Sequence, residues 1–210
     1  QLTIFKTEVD ALIETGEEKM KAILTILRRY IKECKPIRFD GNGYSDEWKE
    51  EALNRGLTNI CHVPEAIMKF NDPQSRSVLI GENIFNDNEL KCRIEVELEK
   101  YTKKVQIESR ILGDLAINHI VPTAVIYQNR LLENLRGLRE TFSPEEYEML
   151  GADRRELVKE IQLHILEIKK LVYEMTEARK ISNHLESEIK KAYSYQEMVS
   201  PYLEKIREHI

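Results

Sequence analysis

Five histidines and three cysteines are the residues of this sequence that are best suited to bind a metal ion or act as a nucleophile. Cys34, Cys61 and Cys92 are widely spaced, form no Cys-x-x-Cys pair, and have no histidine in ligand register apart from the adjacent His62. A structural zinc site needs closely spaced ligand pairs, so we interpret the cysteines as reduced thiols. No serine or cysteine has a histidine placed by the local sequence to activate it. The sequence therefore selects no catalytic residue.

Histidine and glutamate also occur together on predicted helices. A carboxylate-bridged metal pair in a helical bundle needs Glu-x-x-His on each of two helices. His164 follows Glu160 and precedes Glu167, and His184 precedes Glu188, so neither supplies the motif. We interpret these residues as charged helix surfaces and predict neither a metal site nor a cofactor site.

A G-x-G pattern lies in the segment FDGNGYS, whose loop residues are Gly41, Asn42, Gly43 and Tyr44. Glycine-rich backbone before a helix start can hold a phosphate. A nucleotide site, however, follows a strand and adds a third glycine or Gly-Lys-Ser/Thr, and here Asp46 and Glu47 would repel an anion. We therefore favour a tight turn at Gly41 and Gly43, and leave open whether the loop approaches an active site.

Composition favours helices and argues against two classes of partner. The 210 residues include 37 acidic and 32 basic side chains, and glycine and proline are scarce. No run of lysine and arginine would follow a nucleic-acid backbone, and no uncharged apolar stretch is long enough for a membrane span. The N-terminus lacks the layout of a signal peptide, so we expect a cytoplasmic protein. Because the chain begins with Gln, we also expect an excised fragment.

Apolar periodicity predicts a first helix over about Thr7 to Cys34, with a weak point at Gly16. A turn-rich subregion follows over residues 36–86. It contains one short helix that is capped by Ser45 and ends near Gly56, and another from Pro64 to Phe70.

Long helices occupy the remainder. One is predicted from Asp87 to Leu138, with a kink or break at Pro122. Ser143 and Pro144 form a helix start, and Asp153 is expected to cap a last helix that reaches about residue 190 and is roughly 55 Å long. A rod of that length needs a neighbour, which the preceding long helix supplies in antiparallel orientation.

The last helix carries a stripe at steps of three and four residues, formed by Val158, Ile161, Ile165, Ile168, Val172 and Met175. Beyond Arg179 and Ser182 the stripe is expected to shift to Ile181, Leu185, Ile189 and Ala192. We favour the core of this chain as the stripe's packing partner, while a seam with another chain stays open. The prediction is an all-α, elongated helical bundle with three parts: a connecting helix over 1–35, the turn-rich subregion over 36–86 and a long-helix bundle over 87–210.

Two segments go beyond generic helix: IRFDGNGYSDEWKEEALNRGLTN, which starts at Ile37, and IESRILGDLAINHIVPTAVIYQN, which starts at Ile107. Both resemble the C-terminal region of type III glutamine synthetases. ELKCRIEVELEKYTKKVQ, EARK and SPYLEKIREHI fit the same family in the same order, so the resemblance covers nearly the whole chain.

The resemblance implies a parent enzyme that makes glutamine from glutamate, ammonia and ATP with Mg²⁺ or Mn²⁺. In that family the metal, ATP and glutamate sites lie upstream of the matching region, and the family's chain continues past the position that matches His209. It therefore implies a non-catalytic helical domain without a cofactor of its own. Its partners would be its own catalytic domain, through Thr7 to Cys34, and neighbouring subunits of a ring-shaped homo-oligomer. The alternatives are a free-standing helical scaffold and, third, a small independent enzyme.

Overall fold

The computed structural model describes residues 2–210 and is all-α, since this part of the chain contains no strand. The chain divides into two compact units, and the boundary along the sequence lies between Ile60 and Cys61. That boundary falls inside the predicted turn-rich subregion, and the predicted three-part division stays a prediction.

The N-terminal unit begins with two helices, α1 (Leu2–Glu14) and α2 (Lys19–Glu33), where the sequence predicted one. Gly16 has φ +92°, a left-handed conformation that ends α1. The amide of Gly16 donates to Ile13 O and that of Glu17 donates to Leu12 O, which closes the α1 terminus. The prediction of a single helix was wrong. Both helices of the hairpin place apolar residues on their shared core, so the apolar periodicity continues across the turn and does not reveal it.

The hairpin encloses a small core of three buried residues, Val9, Ala22 and Ile26, with further apolar side chains packed around them. Helix α3 (Asp46–Asn54) follows a loop, and the Ser45 hydroxyl accepts from the Trp48 amide as its N-cap. Gly56 with φ +70° ends this segment, which confirms both predicted ends of the helix.

The second unit opens with two short helices, α4 (Val63–Met68) and α5 (Pro73–Leu79). The sequence predicted α4 from Pro64 but missed α5, although Asp72 and Pro73 form a cap and first-position pair. Helix α4 and the last residue of α5, Leu79, pack on α6 (Asp87–Leu115), which begins with a capping box of Asn86 and Glu89. Their contacts bury Leu90, Ile94, Leu98 and Ala192.

The helical path continues from α6 through a π-helical turn, Ala116–Ile120, into α7 (Val121–Thr141). The expected distortion at Pro122 therefore takes the form of a π turn, and the path does not break. Proline lacks an amide donor and its ring collides with the carbonyl four residues earlier, and a wider turn relieves both problems. A second π turn, Tyr195–Val199, precedes Pro201 in the same way.

Helix α8 (Pro144–Asn183) has 40 residues, about 60 Å, and starts with the predicted Ser143 cap. The expected start at Asp153 was wrong, because Gly151 lies inside the helix and is buried where α7 crosses it. The expected end near residue 190 was also wrong. A break at 184–187 precedes α9 (Glu188–Ser194), which Ser187 caps.

The main core lies between α6, α8, the second π turn and α10 (Ser200–Arg207). Its buried residues are Val105, Ala116, Ile168, Leu171, Met175, Ala178, Tyr195, Val199, Leu203 and Ile206. Ala178 and the buried Ser182 continue the α8 stripe, whereas Ile181 and Ile189 are exposed. The predicted shift of the stripe was therefore wrong at Ile181 and Ile189, because a small polar residue on the packed face was read as an interruption, whereas Ala192 on α9 is buried as predicted.

Candidate interaction surfaces

The cysteines do not pair with one another, and two of the five histidines are in contact. All three cysteines are unpaired and exposed. Within residues 2–210, no group of three or more His, Cys, Asp or Glu side chains is arranged to hold a metal ion. Two histidines do meet, since the Nδ1 atoms of His164 and His209 lie 2.9 Å apart. Their proximity could not be read from the sequence, where the two are 45 positions apart.

The FDGNGYS loop is held by local contacts. Asn42 accepts from the Tyr44 amide at 3.0 Å, and the Asn42 carbonyl accepts from the Ser45 hydroxyl. Neither Gly41 nor Gly43 has positive φ. Gly41 instead leaves room for the Phe39 ring, which would lie 2.5 Å from a Cβ at this position. The glycine at 41 thus provides space and not left-handed backbone, whereas Gly43 has open space around it.

Contacts from α3 fix the base of this loop. The Phe39 and Trp48 rings stack with centroids 4.2 Å apart, and the Arg55 guanidinium donates to the carbonyl of Arg38. Asp46 forms an ion pair with Lys49, and this hydrogen bond lowers the pKa of the Asp46 carboxyl. Tyr44 projects from the loop and is 95% exposed. An anionic first helical turn with one protruding aromatic ring suits contact with another surface better than capture of a phosphate.

An apolar stripe on α2 is the most regular exposed surface of the N-terminal unit. It consists of Met20 (60% exposed), Leu24 (46%), Leu27 (40%) and Ile31 (54%). These positions recur every three or four residues and so share one face of the helix, beside the face that packs on α1. We call this set the α2 stripe. The helix face along one side of the α2 stripe is basic, with exposed Lys21, Arg28 and Lys32.

The stripe predicted on α8 faces two neighbours inside the second unit. Val158 and Ile161 are partly buried, and the Val158 carbonyl accepts from Gln128 of α7 at 3.0 Å. Ile165, Ile168 and Met175 are buried, and Val172 packs against the main core. Beside this core, exposed apolar residues remain at Leu163 and Leu166 on the outer side of α8.

Sequence reasoning missed a polar network between α6, α8 and the second π turn. The Tyr195 hydroxyl donates to Asn183 Oδ1 at 2.7 Å, and Gln106 donates to the same oxygen at 3.4 Å. Burial raises the pKa of Tyr195, against the opposing effect of Arg179 and Arg110. Arg179 was read from the sequence only as a break in an apolar stripe, because the facing helix could not be known.

Comparisons with known proteins give a consistent result. A family model described as "Glutamine synthetase C-terminal domain" matches residues 22–139, more than half of the chain. The chain is 64% identical over its full length to a "Glutamine synthetase" of Bacteroides fragilis (strain YCH46), of which it covers 29%. It is 28% identical over 204 residues to a "Type-3 glutamine synthetase" of Dictyostelium discoideum. That match takes in 81% of the chain and 28% of the relative. A "Glutamine synthetase" of Butyrivibrio fibrisolvens is 30% identical over 58% of the chain and 17% of its own length.

Proposed function

The chain belongs to the family of glutamine synthetase C-terminal domains, and on that premise we propose that it is the non-catalytic helical part of a type III glutamine synthetase. The chain spans about three tenths of the length of the B. fragilis and D. discoideum relatives. The complete enzyme would join ammonia to glutamate in the cytoplasm with ATP and Mg²⁺ or Mn²⁺. The residues for that reaction would lie in the rest of the polypeptide.

The arrangement of the carboxylates supports a non-catalytic role for this chain. Many of them form ion pairs with a lysine or arginine one turn away on the same helix, as Glu99 does with Lys103 and Glu167 with Lys170. The hydrogen bond from the lysine is the main cause that lowers the pKa of the Glu99 carboxyl and of the Glu167 carboxyl. Carboxylates held in this way stabilise helix surfaces and are not convergent metal ligands.

The α2 stripe is the observation that carries the proposed role in assembly. Four large apolar side chains on one face, each at least 40% exposed, favour burial against a partner. We commit to the catalytic part of the same polypeptide as that partner, since more than two thirds of the B. fragilis relative lies outside the matched segment. The basic flank of the stripe favours a partner surface with an acidic edge. Through this contact the domain would support the ring-shaped homo-oligomer.

The test is a double substitution in the full-length polypeptide, L24Q/L27Q. Removing two interfacial leucines is expected to weaken the contact on the order of 100-fold, so that the assembly loses mass by light scattering and forms glutamine more slowly. The matched control is L163Q/L166Q, which removes two exposed leucines at the same spacing from α8. The 210-residue chain carrying L24Q/L27Q should keep its helical content and melting temperature, because both leucines are exposed.

Unchanged assembly mass and activity in L24Q/L27Q would exclude the α2 stripe as the contact. A full-length polypeptide without ATP- and ammonia-dependent glutamine formation would exclude the enzyme assignment. In that second case, self-association of the 210-residue chain is measured. Reversible association that is abolished by L24Q/L27Q would favour a free-standing helical scaffold.

A further inference from the structure

Helices α6 and α8 run antiparallel and lie close together where α6 carries a glycine. A Cβ at Gly113 would lie 3.4 Å from Val172 and 3.5 Å from Met175. Further along, Gln106 of α6 reaches Asn183 of α8 with a hydrogen bond. On α6, Arg110 lies one helical turn after Gln106. On α8, Arg179 lies one helical turn before Asn183. The helix register therefore places these two residues at facing positions on α6 and α8.

No carboxylate accompanies the two arginines. Within residues 2–210, neither guanidinium has an acidic oxygen within 4 Å, although Arg29, Arg55, Arg76 and Arg155 each contact one. Arg179 is also partly buried. Burial and, to a smaller extent, the charge of Arg110 lower the pKa of Arg179. A partly buried cation beside a like charge is destabilised, and a bound anion would offset the repulsion.

The surrounding groups add donors and no negative charge. Tyr195 is neutral near pH 7 because an ordinary phenol has a pKa near 10, which burial raises further, and its hydroxyl hydrogen is donated to Asn183. Asn183 uses its amide oxygen to accept from Tyr195 and Gln106, which leaves its NH₂ group free to donate. Two guanidinium groups and an amide donor thus lie within one helical turn of the bond between Gln106 and Asn183, with Arg110 exposed and Arg179 partly buried. These are the groups that proteins use to hold oxyanions.

We propose that Arg110 and Arg179, with the Asn183 amide beside them, form a binding site for an oxyanion, either a carboxylate or a phosphate. The anion neutralises the two facing charges and links α6 to α8 near the end of α8. Its source is either a free anion in solution or an acidic side chain from the rest of the longer polypeptide. The site is distinct from the α2 stripe, which lies in the N-terminal unit.

The first experiment measures thermal unfolding of the 210-residue chain against inorganic phosphate, with chloride holding the ionic strength constant. We expect phosphate to raise the melting temperature of the wild type and of R130Q, a matched control that removes an exposed arginine outside the site. R110Q and R179Q should lose the phosphate-dependent increase. Without phosphate, R110Q should melt at or above the wild-type temperature, because the like-charge repulsion is gone.

A second experiment distinguishes the two sources of the anion, and it alone rests on the proposed function. If phosphate has no effect on the chain, R110Q and R179Q should lower the melting temperature of the full-length assembly while R130Q does not, which assigns an acidic side chain. A chain insensitive to phosphate, together with an assembly equally stable in all three variants, overturns the site. The L24Q/L27Q result does not enter either decision.

Discussion

The Tyr30 hydroxyl ties α2 to α1 by donating to the Glu8 carboxylate at 2.6 Å, and Arg29 approaches the same carboxylate. The bond from Tyr30 is the largest single cause that lowers the pKa of Glu8 below its ordinary value of 4.5; the hydrogen bond and charge of Arg29 lower it further, and desolvation opposes them. The same bond raises the pKa of Tyr30 above 10.0. The contact is therefore strongest between about pH 5 and pH 10, where Glu8 is ionised and Tyr30 is neutral.

Y30F is expected to lower the melting temperature at pH 7 and to differ less from wild type at pH 3. A carboxyl with a lowered folded-state pKa contributes stability above its unfolded-state pKa and loses it as the pH falls through the folded value. Circular dichroism melts at both pH values measure this difference. Y44F is the control, since Tyr44 is almost fully exposed. An equal Y30F effect at both pH values would show that the ionised carboxylate is not involved.

At the scale of the element, glycines mark different physical requirements. Gly16 adopts positive φ with open space around it, whereas Gly137 lies inside α7, also with open space. We expect G16A to destabilise the chain by about 1 kcal/mol, because the left-handed backbone disfavours any Cβ. We expect G137A to stabilise it by about 0.5–1 kcal/mol through helix propensity. Urea unfolding measures both, and changes of the same sign would refute the assignment.

Gly151 differs from Gly137 because a partner helix lies against it. A Cβ at this position would lie 3.1 Å from Leu135 of α7, closer than ordinary contact. G151A should therefore gain less stability than G137A, or lose some, since the strain offsets the roughly 1 kcal/mol of helix propensity. The double variant G151A/L135A tests the cause. With Leu135 shortened, G151A should change the free energy of unfolding more favourably than it does in the wild type. An equal change in both backgrounds would show that contact with Leu135 is not the cause.

The two π turns show how a helix accommodates an internal proline. Pro122 and Pro201 each follow a five-residue π turn that ends two residues earlier. The extra residue turns the following helix relative to the preceding one, by about 100° for one residue. Leu135 of α7 then meets Gly151 of α8, and the buried Leu203 of α10 joins the main core. The prolines therefore help to decide which faces of α7 and α10 pack.

At the scale of the whole molecule, the two units differ in the size of their cores. The main core of the second unit holds ten buried residues and a further cluster holds four, whereas the hairpin core of the first unit holds three. Residues 61–210 alone should unfold cooperatively, with a melting temperature close to that of the whole chain. Residues 1–60 alone should be marginally stable, because small domains bury too little surface. Calorimetry of both fragments measures this, and a stable isolated first unit would contradict it.

The resemblance read from the two segments that begin at Ile37 and Ile107 is confirmed by the match of residues 22–139 to the glutamine synthetase C-terminal domain family. Both segments fall wholly within that range. The all-α class is confirmed as well, because scarce glycine and proline and long apolar periodicity leave few positions for strands. The oligomer, the cofactors of the parent enzyme and the cytoplasmic location remain proposals.

Sequence by itself determined the features that depend on neighbours along the chain: the helical class, the Ser45 and Ser143 caps, and the helix end at Gly56. Only the tertiary structure decided which residues face each other across helices. The packing of α1 on α2 about Gly16, the continuity of α8 through Gly151 and the facing positions of Arg110 and Arg179 depend on contacts between helices. Periodicity fixes the face of a helix but does not specify its partner, and the energy of a buried glycine or an unpaired charge depends on that partner.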